Sequence, residues 1–152
     1  MVEVPVLRRL LVVCILAGLA LSGYAALETM VPGLQGSCTV NAFISCEAVA
    51  QSAYSHIGPL PVWSLGFGGF VLLFALDVLY MRRADPAFLR WIWILTGLGL
   101  AASVILLGVE LVLIGALCLV CLGAYLADLA AFAVAWRLLR LGREEPAPPV
   151  AT

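Results

Sequence analysis

The sequence predicts an all-α integral membrane protein, a bundle of four transmembrane helices, from its composition, its apolar stretches and the positions of its arginines. Of its 152 residues, 64% are hydrophobic and only 11% are charged. A soluble domain carries about 25% charged residues, so this chain has too little polar surface to face water on all sides. It contains no lysine and no basic cluster, which argues against nucleic acid as a partner.

Three apolar stretches define the predicted helices. Residues 10–26 contain no charge, residues 60–80 contain Asp77, and residues 91–136 contain Glu110 and Asp128. A bilayer core of about 30 Å takes roughly 20 helical residues. The last stretch is too long for one span and fits two, with a turn near residues 114–116, where Gly115 lies.

The arginines predict the orientation of these four spans. They precede the first span, separate the second from the third, and follow the fourth, and an even number of crossings places all three positions on one side. The positive-inside rule makes that side cytoplasmic. We therefore expect a multi-pass protein of the inner (cytoplasmic) membrane, with loop 27–59 and the turn at Gly115 on the exoplasmic face. The arginines are Arg8, Arg9, Arg82, Arg83, Arg90, Arg137, Arg140 and Arg143.

The two ends of the chain need separate interpretation. The first apolar run, with Ser22-Gly23-Tyr24-Ala25 after it, also fits a cleavable signal peptide. Cleavage would leave three spans in the same orientation. We favour a retained helix because the run is longer than a usual signal-peptide core. Residues 1–140 are then one transmembrane redox domain, and residues 141–152, rich in proline and alanine, are predicted to be a disordered cytoplasmic tail.

Four of the five cysteines fall on the predicted exoplasmic face, where thiols can be oxidised. Cys38 and Cys46 lie in the long loop, and Cys118 and Cys121 lie at the start of the fourth span. Cys14, in the first span, is interpreted as a small buried hydrophobic residue. The placement indicates that these thiols act at the outer membrane boundary.

The spacing of the second pair indicates redox chemistry. Cys118 and Cys121, three residues apart, share one face of a helix. Unpaired backbone N–H groups at a helix N-terminus stabilise a thiolate, and the pair lies within reach of a lipid-soluble oxidant. The loop pair can exchange disulfides with it through a mixed disulfide. We therefore expect a relay between the two pairs.

Two other interpretations remain open. The four cysteines can form two static disulfides in a non-enzymatic membrane protein, or they can bind zinc through four thiolates. Zinc ligands prefer spacings of two to four residues within each half of a site, and the seven residues between Cys38 and Cys46 fit this poorly. We favour the relay and predict no metal.

The order of these motifs resembles that of a known family. The loop pair comes first and the helix pair last, and each pair is followed by a hydroxyl residue. With the four-span topology, this ordered set resembles the vitamin K epoxide reductase family over about residues 5–140. The matching residues are Cys38, Cys46, Ser52, Cys118, Cys121 and Tyr125.

The resemblance implies a role for each cysteine. Cys38 and Cys46 are the shuttle pair, and Cys46 forms a transient disulfide with Cys118. Cys121 is the sulfur that meets a quinone, whether ubiquinone, menaquinone or a vitamin K-like quinone. Many bacterial relatives carry a fused thioredoxin-like domain. None is present in these 152 residues, so a separate extracytoplasmic thioredoxin-fold thiol oxidase is the implied partner.

The resemblance also implies residues near the quinone. Ser52 matches a hydroxyl position near the active site, and Tyr125 matches a tyrosine near the quinone pocket. Epoxide-reducing members have an asparagine at the start of the second span. Residues 61–66 contain none, and Ser64 is the side-chain donor beside Trp63. We therefore predict Tyr125, Ser52 and Ser64 as quinone-binding residues.

The function predicted from the sequence is that of a thiol:quinone oxidoreductase that generates disulfides for exported proteins. The alternative enzyme reduces vitamin K quinone or its epoxide with the same cysteines. The alternative from another class is the static, non-enzymatic membrane protein.

Overall fold

The computed structural model describes residues 3–144, and most of these residues are helical. Four helices are long and apolar enough to cross a membrane, which confirms the predicted fold class of a multi-pass four-helix protein. The long connection after the first of them holds a short helix and a two-stranded antiparallel hairpin. The elements are α1 Glu3–Met30, α2 Cys46–Ala50, β1 His56–Ile57, β2 Leu60–Pro61, α3 Val62–Arg83, α4 Pro86–Gly108 and α5 Leu119–Glu144.

The four long helices alternate in direction, so the arginine-bearing helix ends lie together. The Arg8 guanidinium of α1 stacks on the Tyr80 ring near the end of α3, 4.6 Å from its centroid. Glu3 of α1 and Arg140 of α5 line one small cleft. Ala84, in a left-handed conformation, ends α3, and the Asp85 side chain caps α4. The cysteine pairs consequently lie at the opposite end of the bundle.

Helix α1 packs against α3 and α5, and α4 packs against the same two helices. The buried core between them consists of apolar side chains, among which Leu11, Ile15 and Ile92 are fully buried. Large aliphatic side chains such as Leu98 and Val104 point outward and are about two-thirds exposed. In a bilayer such a surface contacts lipid, so association of the helices depends on close packing rather than on exclusion of water.

The helices follow the predicted apolar stretches, although α1 begins at Glu3, seven residues before the predicted start at Leu10. After α4 the chain continues as a π-helical segment, Val109–Ile114, which Gly115 ends with a φ of 71°. The turn therefore falls where the sequence predicts it, because glycine tolerates this conformation. Helix α5 continues to Glu144, past the predicted boundary at residue 140. The rest of the predicted tail, residues 145–152, lies outside the described residues.

Close packing of α1 on α3 requires a small residue at position 18. A Cβ atom added to Gly18 would overlap the ring of Phe70, which is itself buried. We expect Gly18→Ala to lower the free energy of unfolding by about 1–3 kcal/mol, since the added methyl group would force the ring out of its packed position. Thermal unfolding in detergent, followed by circular dichroism, measures this.

Gly68→Ala is the matched control, because its Cβ would meet nothing within 4 Å. The double variant Gly18→Ala/Phe70→Leu should recover part of the loss. Equal melting temperatures for Gly18→Ala and Gly68→Ala would contradict the packing account.

Candidate active site

A backbone bridge holds the long loop against the turn between α4 and α5. The Leu117 N–H donates to the Phe43 carbonyl at 2.7 Å, and the Ser45 N–H donates to the Leu117 carbonyl at 3.1 Å. The Asn41 side chain supports this bend, since its Oδ1 accepts from the N–H groups of Phe43 and Ile44. The bridge places the second loop cysteine beside the first helix cysteine.

Three sulfur atoms meet at this bridge. Cys38 and Cys46 form a disulfide with their Cα atoms 5.8 Å apart, and the Cys118 Sγ lies 3.4 Å from the Cys46 Sγ. Cys46 and Cys118 are buried, whereas Cys38 is half-buried. Exchange needs a thiolate to approach one sulfur of a disulfide, and here a free thiol faces the inner sulfur of the loop pair.

Cys118 lies at the N-terminus of α5, directly before its first residue. Its Sγ accepts a hydrogen bond from the Cys121 N–H at 3.2 Å, as an N-cap oxygen does from the third helical residue. The hydrogen bond from the Cys121 side chain lowers the pKa of the Cys118 thiol below its ordinary value, and the backbone N–H groups of Cys121 and Val120 act in the same direction. Burial and the Glu110 charge oppose the shift. The arrangement favours a thiolate, which is the reactive form.

Glu110, one of the two acids in the third apolar stretch, lies inside the site. It is only 3% exposed and belongs to the π-helical segment. One carboxylate oxygen accepts from the Cys118 N–H at 3.0 Å, and the other accepts from the Tyr125 hydroxyl at 2.9 Å. A lone acid shortly before a Cys-x-x-Cys motif, in an otherwise apolar stretch, is the sequence signal that points to it.

Beneath the sulfurs lies a cavity of about 840 Å³, with walls from all four long helices. Cys46 lines it, and so does a stripe that helical spacing places on one face at the start of α5. The stripe consists of Cys118, Cys121, Tyr125 and Asp128. The outer cysteine of the loop pair is not among the lining residues. Three of the four cysteines therefore border the cavity, and Cys38 is the one that does not.

The predicted hydroxyl residues differ in position. Ser52 lines the cavity, and its hydroxyl donates to the Val49 carbonyl at 2.8 Å. Ser64 does not line the cavity, and its hydroxyl donates to the Pro61 carbonyl at 2.7 Å. The structure therefore does not bring Ser64 to the site. A serine in the first helical turn readily bonds to the backbone three residues before it, and Trp63 lines the cavity instead.

Two buried carboxyl groups that line the cavity each have one oxygen without a hydrogen-bond partner. Among the described residues, the Glu28 Oε1 and Asp128 Oδ2 atoms have no partner, although both residues are only 6% exposed. Glu28, from α1, did not figure in the sequence prediction. Gly99 makes room for the Asp128 side chain, because an added Cβ there would lie 2.7 Å from its Oδ2. These groups give an otherwise apolar cavity a few polar atoms.

Comparison with known proteins matches the chain to one family. The model of the vitamin K epoxide reductase family matches residues 9–136. The match runs from the first turns of α1 to Trp136 of α5 and includes both cysteine pairs, Glu110 and Tyr125. None of the curated proteins compared with the chain matches it.

The hydrogen bonds at Cys118 predict how its thiol titrates. Cys121→Ala removes the largest cause of the lowered pKa, so we expect the pKa of Cys118 to rise. The ultraviolet absorbance of the thiolate, measured against pH with the Cys38–Cys46 disulfide intact, reports this. A Cys14→Ala background removes a thiol that lies outside the pair.

Two comparisons make the titration decisive. Cys14→Ala alone should leave the titration of Cys118 where it is in the wild type. If Cys14→Ala/Cys121→Ala titrates as Cys14→Ala does, the hydrogen bond from Cys121 does not control the acidity of Cys118.

Proposed function

The chain belongs to the vitamin K epoxide reductase family, and from this premise we propose that it is a thiol:quinone oxidoreductase that generates disulfides for exported proteins. It relays electrons from a reduced thioredoxin-fold partner through two cysteine pairs to a quinone. The observation that carries the proposal is the approach of the free Cys118 thiol to 3.4 Å from Cys46, within the disulfide that Cys46 forms with Cys38.

The relay begins at the half-buried sulfur. A thiolate of the partner attacks Cys38, the Cys38–Cys46 bond breaks, and Cys46 leaves as a thiolate. A second partner thiol then releases Cys38 and closes the disulfide of the partner. Two electrons have now passed to the loop pair, and the partner is oxidised. Cys38 suits this step because it is the more exposed of the two and lies outside the cavity lining.

The second exchange crosses the 3.4 Å gap. The Cys46 thiolate attacks Cys118 of an oxidised helix pair, the Cys118–Cys121 bond breaks, and Cys121 leaves. Cys38 then attacks Cys46, which re-forms the loop disulfide and releases Cys118. The structure has a Cys38–Cys46 disulfide beside free thiols at Cys118 and Cys121. This is the arrangement expected after the second exchange, before the helix pair reduces a quinone.

The last step transfers two electrons and two protons from the helix pair to a quinone. The Cys118–Cys121 bond forms, and each ring oxygen gains a proton. The cavity fits such a substrate, because its volume lies within the usual range for small-molecule sites and its walls are apolar with a few polar groups. Cys121, Tyr125 and Ser52 border it, and we retain these three as the residues that meet the quinone.

The static alternative fits this arrangement less well. Two structural disulfides would leave no free sulfur near the loop pair, whereas Cys118 is a buried free thiol in contact distance of Cys46. Epoxide reduction lacks support of its own, since residues 61–66 contain no asparagine. Thiol:quinone oxidoreduction thus remains the function that the contacts favour.

The proposal includes an orientation, with the arginine-bearing ends in the cytoplasm and the cysteines on the exoplasmic face of the inner membrane. Thr39 in the loop and Arg83 at the end of α3 are both exposed. In a variant without native cysteines, we expect a membrane-impermeant thiol reagent to label Thr39→Cys in intact cells and Arg83→Cys only after permeabilisation. Labelling of position 83 in intact cells would contradict this topology.

The enzymatic proposal is tested with purified protein, a reduced thioredoxin-fold protein and ubiquinone or menaquinone. We expect wild-type protein to reduce the quinone, and Cys121→Ser to abolish this activity, because Cys118 then lacks its resolving partner. Under oxidising conditions the Cys46–Cys118 disulfide should persist in the variant, as non-reducing mass spectrometry would show.

Cys14→Ser is the matched control and should keep full activity, since Cys14 lies in the core between the helices and not in the cavity lining. A Cys121→Ser protein that still reduces quinone, with Cys38–Cys46 as its sole disulfide, would refute the assigned role of the helix pair.

A further inference from the structure

Glu110 connects the thiol pair to the cavity through its two carboxylate oxygens. One accepts from the backbone N–H of Cys118, and the other accepts from the hydroxyl of Tyr125, which lines the cavity. The side chain is almost fully buried, so water does not compete for these bonds. Because both oxygens accept, the arrangement corresponds to the ionised carboxylate, which has no proton to donate.

The Tyr125 hydroxyl can act towards the cavity either as a hydrogen-bond acceptor or as a donor. The protonation state of Glu110 determines which of the two it is. While Glu110 is ionised, the phenolic proton points to it, and the oxygen of Tyr125 is left as an acceptor towards the cavity. When Glu110 is protonated, it can donate to that oxygen, and the phenolic proton is free to turn towards the cavity. A quinone oxygen needs a donor, whereas a hydroquinone hydroxyl needs an acceptor.

The same carboxylate interacts with the thiols. The hydrogen bond from the Cys121 side chain lowers the pKa of Cys118, while the negative charge of Glu110 opposes a thiolate there. Two neighbouring negative charges in a buried site disfavour each other, so ionisation of the thiol favours protonation of the acid. Glu28 of α1 is the other acidic residue whose charge acts on this pair. Glu110 differs from it in hydrogen-bonding to both Cys118 and Tyr125.

We infer that Glu110 is a positioning residue that holds a proton between the thiol pair and the quinone. It accepts a proton when a thiol of the pair ionises, and it returns that proton through the Tyr125 hydroxyl to a ring oxygen. The inference rests on the proposed function. As the Cys118–Cys121 disulfide forms, the two thiols lose two electrons and two protons, and the quinone takes up all of them. One proton reaches a ring oxygen through Glu110 and Tyr125, and the other passes from the Cys121 thiol to the second ring oxygen. Glu110 ends ionised, as it began.

A purely structural role makes a different prediction. If Glu110 only braces the turn, an acceptor for the Cys118 N–H is sufficient. Glu110→Gln keeps such an acceptor, and its amide can still hydrogen-bond to Tyr125, but it cannot take up or release a proton in this way. A brace therefore predicts that the glutamine variant behaves nearly as the wild type, whereas the proton-holding role predicts a large loss of quinone reduction.

The first measurement requires no quinone. With the Cys38–Cys46 disulfide intact, the thiolate absorbance of Cys118 is followed against pH in wild-type and Glu110→Gln protein. Removal of the carboxylate charge should lower the pKa of Cys118. Asp77→Asn is the matched control, because Asp77 is another buried acid and does not line the cavity. It should leave the titration unchanged. An unchanged titration in Glu110→Gln would overturn the inference whatever the protein does with quinones.

The second measurement is a single turnover, in which reduced protein is mixed with a water-soluble short-chain ubiquinone. Glu110→Gln should slow quinone reduction on the order of 100-fold, the size of a typical acid–base contribution. Tyr125→Phe should slow it comparably, and the double variant should be no slower than the slower single variant, since the two residues act in one path. Additive losses, or a Glu110→Gln rate equal to that of the wild type, would overturn the inference and leave the proposed function intact.

The remaining outcomes are also decisive. Wild-type protein that reduces no quinone would remove the proposed function and this inference together. Formation of the Cys46–Cys118 disulfide in Glu110→Gln/Cys121→Ser protein shows that the variant still positions its cysteines, as expected. Failure to form it would mean that Glu110 is needed to build the turn, and the inference would then be replaced by the structural role.

Discussion

The whole site depends on two backbone hydrogen bonds between a loop and a turn. Leu117 exchanges them with Phe43 and Ser45, and through them residues far apart in the sequence place their sulfurs 3.4 Å apart. Neither segment has a regular structure of its own that would fix this approach. Backbone N–H and C=O groups that are shielded from water strongly favour a partner, and the loop is held in position by the Leu117 groups that the turn leaves unpaired.

The two ends of the bundle differ in how their acidic side chains are neutralised. The arginines and Asp77 lie at the far end, where Arg8 stacks on Tyr80 and its charge acts on Asp77. At the cysteine end, Glu110 is held by hydrogen bonds to neutral donors rather than by a cation. An acid without a counter-charge in a buried site stays sensitive to its surroundings. Such a group is suited to respond to the ionisation of a neighbouring thiol.

Much of the fold and part of the site follow from local sequence features. Four apolar helices and the turn at Gly115 were predictable, because helix length in a bilayer and the left-handed glycine are local constraints. The stripe of Cys118, Cys121, Tyr125 and Asp128 was predictable for the same reason, since helical periodicity places these residues on one face. The sequence predicts Ser64 as a quinone-binding residue, but residue type and approximate position do not show which way a hydroxyl in a first helical turn bonds, and here it donates to the Pro61 carbonyl.

The sequence by itself determined the class of protein, the two cysteine pairs and the face of α5 that Cys118, Cys121 and Tyr125 share, because each depends on composition or on spacing along one segment. The family resemblance already implied that Cys46 meets Cys118, whereas only the tertiary structure decided that Glu28 borders the cavity and that Glu110 joins Cys118 to Tyr125. These features depend on contacts between segments and on the π-helical segment, whose wider turn alters the direction in which the Glu110 side chain projects. No periodicity within one helix encodes such a change, so the contacts of Glu110 with Cys118 and Tyr125 became visible only when the chain was folded.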